Sequence, residues 1–123
     1  VPSIDEALRF WSDLLGTEVT GRETVTLEKV HVAMLPASES RIELLEPADS
    51  SSTIAKFIGK RGPALHHVAL RVRHFEEALT RLRAAGAHLL NEPRSGAGGH
   101  TYVFVHPEST GGVLLELIKE NES

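Results

Sequence analysis

Two stretches of this chain repeat one another, and a chain that holds the same half twice has few ways to fold. VPSIDEALRFWSDLLG begins at Val1 and VRHFEEALTRLRAAG begins at Val72. Laid in register, Val1, Glu6, Ala7 and Leu8 fall on Val72, Glu77, Ala78 and Leu79, Ile4 meets Phe75, and Asp5 meets Glu76. Each segment closes on a glycine, Gly16 or Gly86. Ile4, Ala7, Leu8, Trp11 and Leu15 recur at helical spacing, and so do Phe75, Ala78, Leu79 and Leu82, so both segments predict amphipathic helices. Ser3 with Glu6 reads as a capping box, and each glycine suits the left-handed position just past a helix end.

Strand-like stretches follow each helix: KVHVAML and RIELLEP in the first half, AHLLN, TYVFVH and GVLLELI in the second. RIELLEP and GVLLELI also correspond, with Ile42, Glu43 and Leu44 on Leu115, Glu116 and Leu117. A helix match and a strand match in the same order indicate a structural duplication of α+β type. The second helix is preceded by a strand, LHHVALRV, whereas nothing precedes the first. The duplication therefore predicts a strand upstream of Val1, paired to residues 65 to 72. The expected organisation is a single domain over 1–123: module one at 1–50, a linker and short helix at 51–63, and module two at 64–123.

Strand alternation assigns faces. In LHHVALRV, His66, Val68, Leu70 and Val72 share the face expected to pack on helices, and His67 shares the other with Ala69 and Arg71. In GVLLELI, Val113, Leu115 and Leu117 oppose Glu116, and in RIELLEP, Ile42 and Leu44 oppose Glu43. A buried, unpaired carboxylate is expensive, so two of them at matching positions ask for a partner. Glu43, His67 and Glu116 on non-helix faces form a plausible divalent-metal set, with borderline ligands suited to Zn, Co, Ni, Mn or Fe. His66 reads as structural or supporting. His31 alternates with Val30 and Val32 and is a candidate to line the same cavity. His74, His88, His100 and His106 show no ligand spacing, and Glu46 reads as a solvated strand-end carboxylate.

Composition narrows the partners. The net charge is -4 and the 13 Lys and Arg are scattered without interleaved aromatics, which argues against nucleic acid or an anionic membrane surface. With no cysteine there is no disulfide framework and no thiol nucleophile, so a reducing compartment fits: the cytoplasm, or the mitochondrial matrix in a eukaryote. Lys56, Lys60 and Arg61 in SSTIAKFIGKRG form a small basic cluster on the linker helix, read as a solvated face or a meeting point for ligand phosphates. RSGAGGH lacks a phosphate-loop pattern and opens a strand, as a connector or as a tight loop whose backbone N–H groups face a substrate carboxylate.

These residues carry a resemblance. IELLEP, STIAKFIGKRG, LHHVAL, NEPRSGAGGH, FVHPESTGGVLLEL and DEALRFWSDLLG, in this order and over essentially the whole chain, resemble the methylmalonyl-CoA epimerases of the vicinal oxygen chelate superfamily. The resemblance implies a glyoxalase-like fold in which two paired βαβββ modules form a curled, mostly antiparallel sheet, usually in a homodimer. It implies metal ligands at Glu43, His67 and Glu116, with a fourth, a histidine, on the strand upstream of Val1. It also implies an acyl-CoA thioester substrate, a divalent ion (Co, Zn, Mn or Ni), and Glu116 as a catalytic base that is also a ligand. The second acid/base falls near KVHVAML, where His31 and Glu28 are the candidates. Two other functions share these ligand types: a glyoxalase I-type isomerase or extradiol dioxygenase, and a metal-free binding protein of the same fold.

Overall fold

The computed structural model describes residues 1–96 and 99–120. Its contacts divide the chain into two units, Val1–Leu65 and His66–Ser123, and in each a helix packs on one face of that unit's own sheet.

In the first unit, α1 (Ile4–Leu8) starts at Ser3, which is extended and accepts a hydrogen bond from the Glu6 N–H at 3.2 Å. The helix widens into a π-type stretch over Arg9–Leu14, and Gly16 ends it at φ 76°, a conformation costly for any residue with a Cβ. Three strands follow as an antiparallel meander, β1 (Gly21–Val25), β2 (Val30–Ala37) and β3 (Ser40–Pro47), in that spatial order. Apolar residues lie on both sides of β2, so both of its faces are covered. Ala33 and Leu35 join Leu44 and Ile4 beneath α1. Val30 and Val32 pack with Ile54 of α2 (Thr53–Arg61) on the other side. β1 carries no strand signal in the sequence, because GRETV exposes its three central residues and has no apolar stripe.

The second unit runs β4 (Val68–Val72), α3 (Phe75–Ala84), β5 (Arg94–Ser95), β6 (Thr101–Val105), α4 (Pro107–Thr110) and β7 (Leu115–Lys119). Its sheet has the order β4-β7-β6-β5, with β4 parallel to β7 and the other neighbours antiparallel. Phe75 and Leu79 of α3 close over Val103, Val105 and Leu117. AHLLN is not a full strand: it forms the isolated bridge Leu89–Val105, flanked by hydrogen bonds from Leu90 N–H to the Phe104 carbonyl and from His106 N–H to the His88 carbonyl, each at 2.8 Å. The pairing stops at Asn91, whose side chain takes over from the backbone: its Oδ1 accepts from Phe104 N–H at 2.8 Å and its Nδ2 donates to the Tyr102 carbonyl at 3.3 Å. The expected helix-facing stripe of LHHVALRV is also shorter than read. Val72 packs under α3, but Val68 and Leu70 are 42% and 51% exposed, since α3 begins just beyond Val72 and folds back over β7 rather than along β4.

Two substitutions separate core burial from capping. Phe75 is 1% exposed, so Phe75→Ala should lower unfolding free energy by roughly 3–5 kcal/mol. Ser52 is buried and its Oγ caps α2 by accepting from Ala55 N–H at 3.0 Å, so Ser52→Ala should cost only about 1 kcal/mol. Urea denaturation followed by circular dichroism measures both.

Candidate active site

The site is built on β7. Leu115 and Leu117 point to α3, so pleating turns Glu116 to the opposite face. There its register neighbours are Ala69 on β4 and Phe104 on β6. Ala69 offers only a methyl group, while Phe104 and the buried Tyr102, whose rings meet edge to face at 5.6 Å, wall the other side. Tyr102 lies so close over Gly96 that a Cβ there would meet its ring at 2.8 Å.

His67 sits at the entrance of β4, on this same face. Its ring meets Phe104 edge to face at 5.3 Å, and its Nε2 stands 2.8 Å from Glu116 Oε1. The two side chains are only 11% and 16% exposed, so each offsets much of the other's desolvation. Behind His67, its Nδ1 lies 2.9 Å from Nδ1 of His66. Burial, then the charge of the neighbouring His67, pushes the His66 pKa down to about 4. His66 is therefore neutral near pH 7.

In the first unit, Glu43 occupies the matching position of its own sheet. It lies beside Met34, on the face of β3 opposite the Leu44–α1 core, with its side chain 25% exposed and Arg41 Nε at 3.8 Å. His31 does not share that face. It alternates with Ala33 and Leu35 on the α1 side, and its Nδ1 is 2.8 Å from Thr24 Oγ1. Glu28 is half-buried in the turn before β2. Glu46 is not a free strand-end carboxylate: its Oε1 accepts from Ile4 N–H at 2.7 Å and anchors the start of α1.

One group escaped sequence reasoning. His88, His106 and Glu108 bring donor atoms within 4.8 Å of one another, although His88 and His106 lie on either side of β6 in the chain and only His106 and Glu108 are close in sequence. The two rings stack at 4.8 Å and 5°. Parallel rings hold their in-plane lone pairs in separate planes, so no single ion lies along both. His106 Nδ1 also accepts from Glu108 N–H at 3.0 Å as the cap of α4, which identifies the cluster as a capping arrangement. Among the described residues, His100 Nδ1 is buried without a hydrogen-bond partner. In RSGAGGH, Ala97 and Gly98 lie outside the described residues. Lys56, Lys60 and Arg61 are exposed on α2; Lys60 and Arg61 lie in its last turn, where cations suit the helix dipole, and Arg61 also lies 5.9 Å over the Phe57 ring. Among the described residues no helix is long and apolar enough to cross a membrane.

This fold, with a histidine and a carboxylate in contact on the open face of a sheet, is that of a known superfamily. Residues 1–104 match the family model of the glyoxalase/bleomycin resistance protein/dioxygenase superfamily. An ethylmalonyl-CoA/methylmalonyl-CoA epimerase of Cereibacter sphaeroides is 36% identical over 121 residues, which span 95% of this chain and 90% of that protein. The crystal structure of methylmalonyl-CoA epimerase from Mycobacterium tuberculosis superposes with a TM-score of 0.91 at 35% identity, covering 99% of this chain and 83% of that one. A variant of the Streptomyces coelicolor methylmalonyl-CoA epimerase, in complex with 2-nitronate-propionyl-CoA, superposes with a TM-score of 0.89 at 31% identity, covering 98% of this chain and 91% of that one. The chain belongs to this superfamily and, within it, to the methylmalonyl-CoA epimerase family, whose members are isomerases.

The His66 environment has a pH signature. Its pKa is lower in the folded protein than in the unfolded chain, so between about 6.5 and 4 the unfolded state binds more protons. Stability therefore rises with pH across that window and is lost on acidification. His66→Phe removes this contribution. Thermal midpoints measured from pH 7 down to pH 4 should fall less steeply for the variant than for the wild type.

Proposed function

We propose that this protein interconverts the (2R) and (2S) forms of methylmalonyl-CoA by removing the Cα proton and returning it to the opposite face. The observation that carries this reading is the His67–Glu116 contact at 2.8 Å, a sheltered base and nitrogen donor side by side on one open sheet face. The wall of Phe104 and Tyr102 limits water on one side of that base, and Ala69 leaves room above it for a substrate. Family membership supports a malonyl-type CoA thioester as substrate.

A Cα–H beside a thioester is weakly acidic, so the reaction needs both a positioned base and stabilisation of the enolate. Neutral imidazole nitrogen and carboxylate oxygen are the donor types that hold Zn, Co, Mn or Ni, and the pairing of His67 with Glu116 fits that chemistry. We assign His67 and Glu116 as ligands, with Glu43, the counterpart of Glu116 in the first module, as a further ligand. A bound divalent ion would act as a Lewis acid on the thioester carbonyl and the substrate carboxylate. Glu116 takes the Cα proton on its carboxylate. Inversion calls for an acid on the other face of the substrate. His31 and Glu28 are the candidates for that second acid/base. The enzyme is proposed to work as a homodimer in the cytoplasm, or in the mitochondrial matrix of a eukaryote.

Deuterium wash-in tests the reaction. Metal-loaded protein incubated with methylmalonyl-CoA in D₂O should exchange the Cα proton, as read by NMR, and the absence of metal-dependent exchange would overturn the proposal. Glu116→Gln should slow exchange by roughly 10²–10⁴-fold while leaving the fold intact; exchange at the wild-type rate removes Glu116 from the mechanism. If Glu28 is the second acid/base, Glu28→Gln should separate the two events, keeping exchange of the epimer that Glu116 deprotonates while losing inversion.

A further inference from the structure

Gly96 stands apart from the other described glycines of the chain. Its φ lies outside the left-handed region, so its backbone is open to other residues. Space is what requires the glycine. A Cβ at Gly96 would stand 2.8 Å from Cε1 and 2.9 Å from Cδ1 of Tyr102, whereas a Cβ at any of the other described glycines meets nothing within 4 Å. An alanine here would therefore force either the turn or the ring to move.

Both are fastened. The turn is tied by Gly96 N–H to the His100 carbonyl and by Gly99 N–H to the Gly96 carbonyl, each at 2.9 Å, and by the pairing of Arg94 with Tyr102 and Ser95 with Thr101. Tyr102 and Phe104 alternate with Val103 and Val105 of the α3 core, so their rings share the sheet face of Glu116. Tyr102 is nevertheless only 3% exposed on that face. The Asn91 amide holds the backbone of β6 at the Tyr102 carbonyl and the Phe104 N–H, so a push on the Tyr102 ring is not relieved by a slide of the strand.

The push passes to other rings instead. Tyr102 meets Phe104 edge to face at 5.6 Å and 77°, and Phe104 meets His67 edge to face at 5.3 Å and 82°. Phe104 is also the β6 neighbour of Glu116, whose Oε1 lies 2.8 Å from Nε2 of His67. Edge-to-face contacts hold a ring in both distance and angle. A continuous row of rings thus runs from the turn at Gly96 to the paired histidine and carboxylate, all within the second unit.

We infer that Gly96 is a positioning residue for the His67–Glu116 pair: by leaving room for the Tyr102 ring, it lets Tyr102 hold Phe104 against His67. Gly96 touches neither substrate nor ion in this role. Its effect on catalysis rests on the proposed reaction, while its effect on ring packing stands apart from it.

Nuclear Overhauser spectra of the metal-free full chain read the packing. Wild type should show ring-to-ring cross-peaks between Tyr102 and Phe104 and between Phe104 and His67. Gly96→Ala should weaken or lose the Phe104–His67 peaks while those of the α3 core, from Phe75 to Leu79 and Val103, persist. Ser95→Ala, at an exposed neighbouring position, should leave every peak as in wild type. Unchanged Phe104–His67 peaks in Gly96→Ala overturn the inference, and so does an equal loss in Ser95→Ala. If Gly96→Ala does not fold, Tyr102→Leu, which removes the ring behind Phe104, takes its place with the same expected loss and the same overturning result. Deuterium wash-in reads the consequence: kcat for exchange should fall roughly 10–100-fold in Gly96→Ala, with KM within about twofold of wild type. A raised KM with unchanged kcat makes the turn a substrate contact and overturns the positioning role. The two readings fail separately: if wild type exchanges no Cα proton, the proposed reaction fails, while the cross-peaks still decide the role of Gly96.

Discussion

The contact between His67 Nε2 and Glu116 Oε1 depends on the pleat of β7, and most of the second unit is arranged to maintain that pleat. Leu115 and Leu117 are drawn to Phe75 and Leu79, which turns Glu116 the other way. A slip of one residue in the pairing of β7 with β6 would send the carboxylate into the apolar core and the leucines to the open face. The register is held on both sides, by β4 in parallel and β6 in antiparallel. The core is therefore what aims the carboxylate, and burial of the leucines offsets the cost of sheltering a charge beside them.

The first unit repeats this logic with different covering. Leu44 goes under α1 and Glu43 faces away, as in the second unit, yet the far side of β2 is partly closed by Ile54 of α2. Tying α1 down takes more than apolar contact, because the Glu46 carboxylate receives the Ile4 N–H at the start of the helix. That one hydrogen bond explains why the strand-end glutamate is structural. It also illustrates why a carboxylate in a motif cannot be assigned from its position alone.

Around the His67–Glu116 pair, aromatic and small residues play opposite parts. Phe104 and Tyr102 shelter one flank, and the close approach of Tyr102 to Gly96 admits no side chain there. Ala69 leaves the space above the carboxylate open. A base in such a setting is desolvated on one side and accessible on the other, which is what abstraction of a carbon-bound proton requires. His66 completes the arrangement from behind, with a ring nitrogen 2.9 Å from Nδ1 of His67.

The duplication, the two amphipathic helices with their glycine ends, and the opposition of Glu43 and Glu116 to flanking leucines were all legible in the sequence, because helical and strand periodicities are local properties. So was the matching of GVLLELI to RIELLEP, which pointed to the carboxylates as a pair. Other features needed tertiary contacts. Strand β1 is held by pairing to β2 and shows no apolar stripe. AHLLN pairs with β6 only briefly, because at Asn91 the side-chain amide takes over the hydrogen bonds of β6. His31 turns to the α1 side because β2 is covered on both faces, so alternation alone could not say which face was the working one. The stacking of His88 on His106, and the meeting of His66 with His67 through their Nδ1 atoms, depend on ring orientations. Periodicity determines which side of an element a residue occupies; only packing against its neighbours decides what stands on that side and which way each ring is turned.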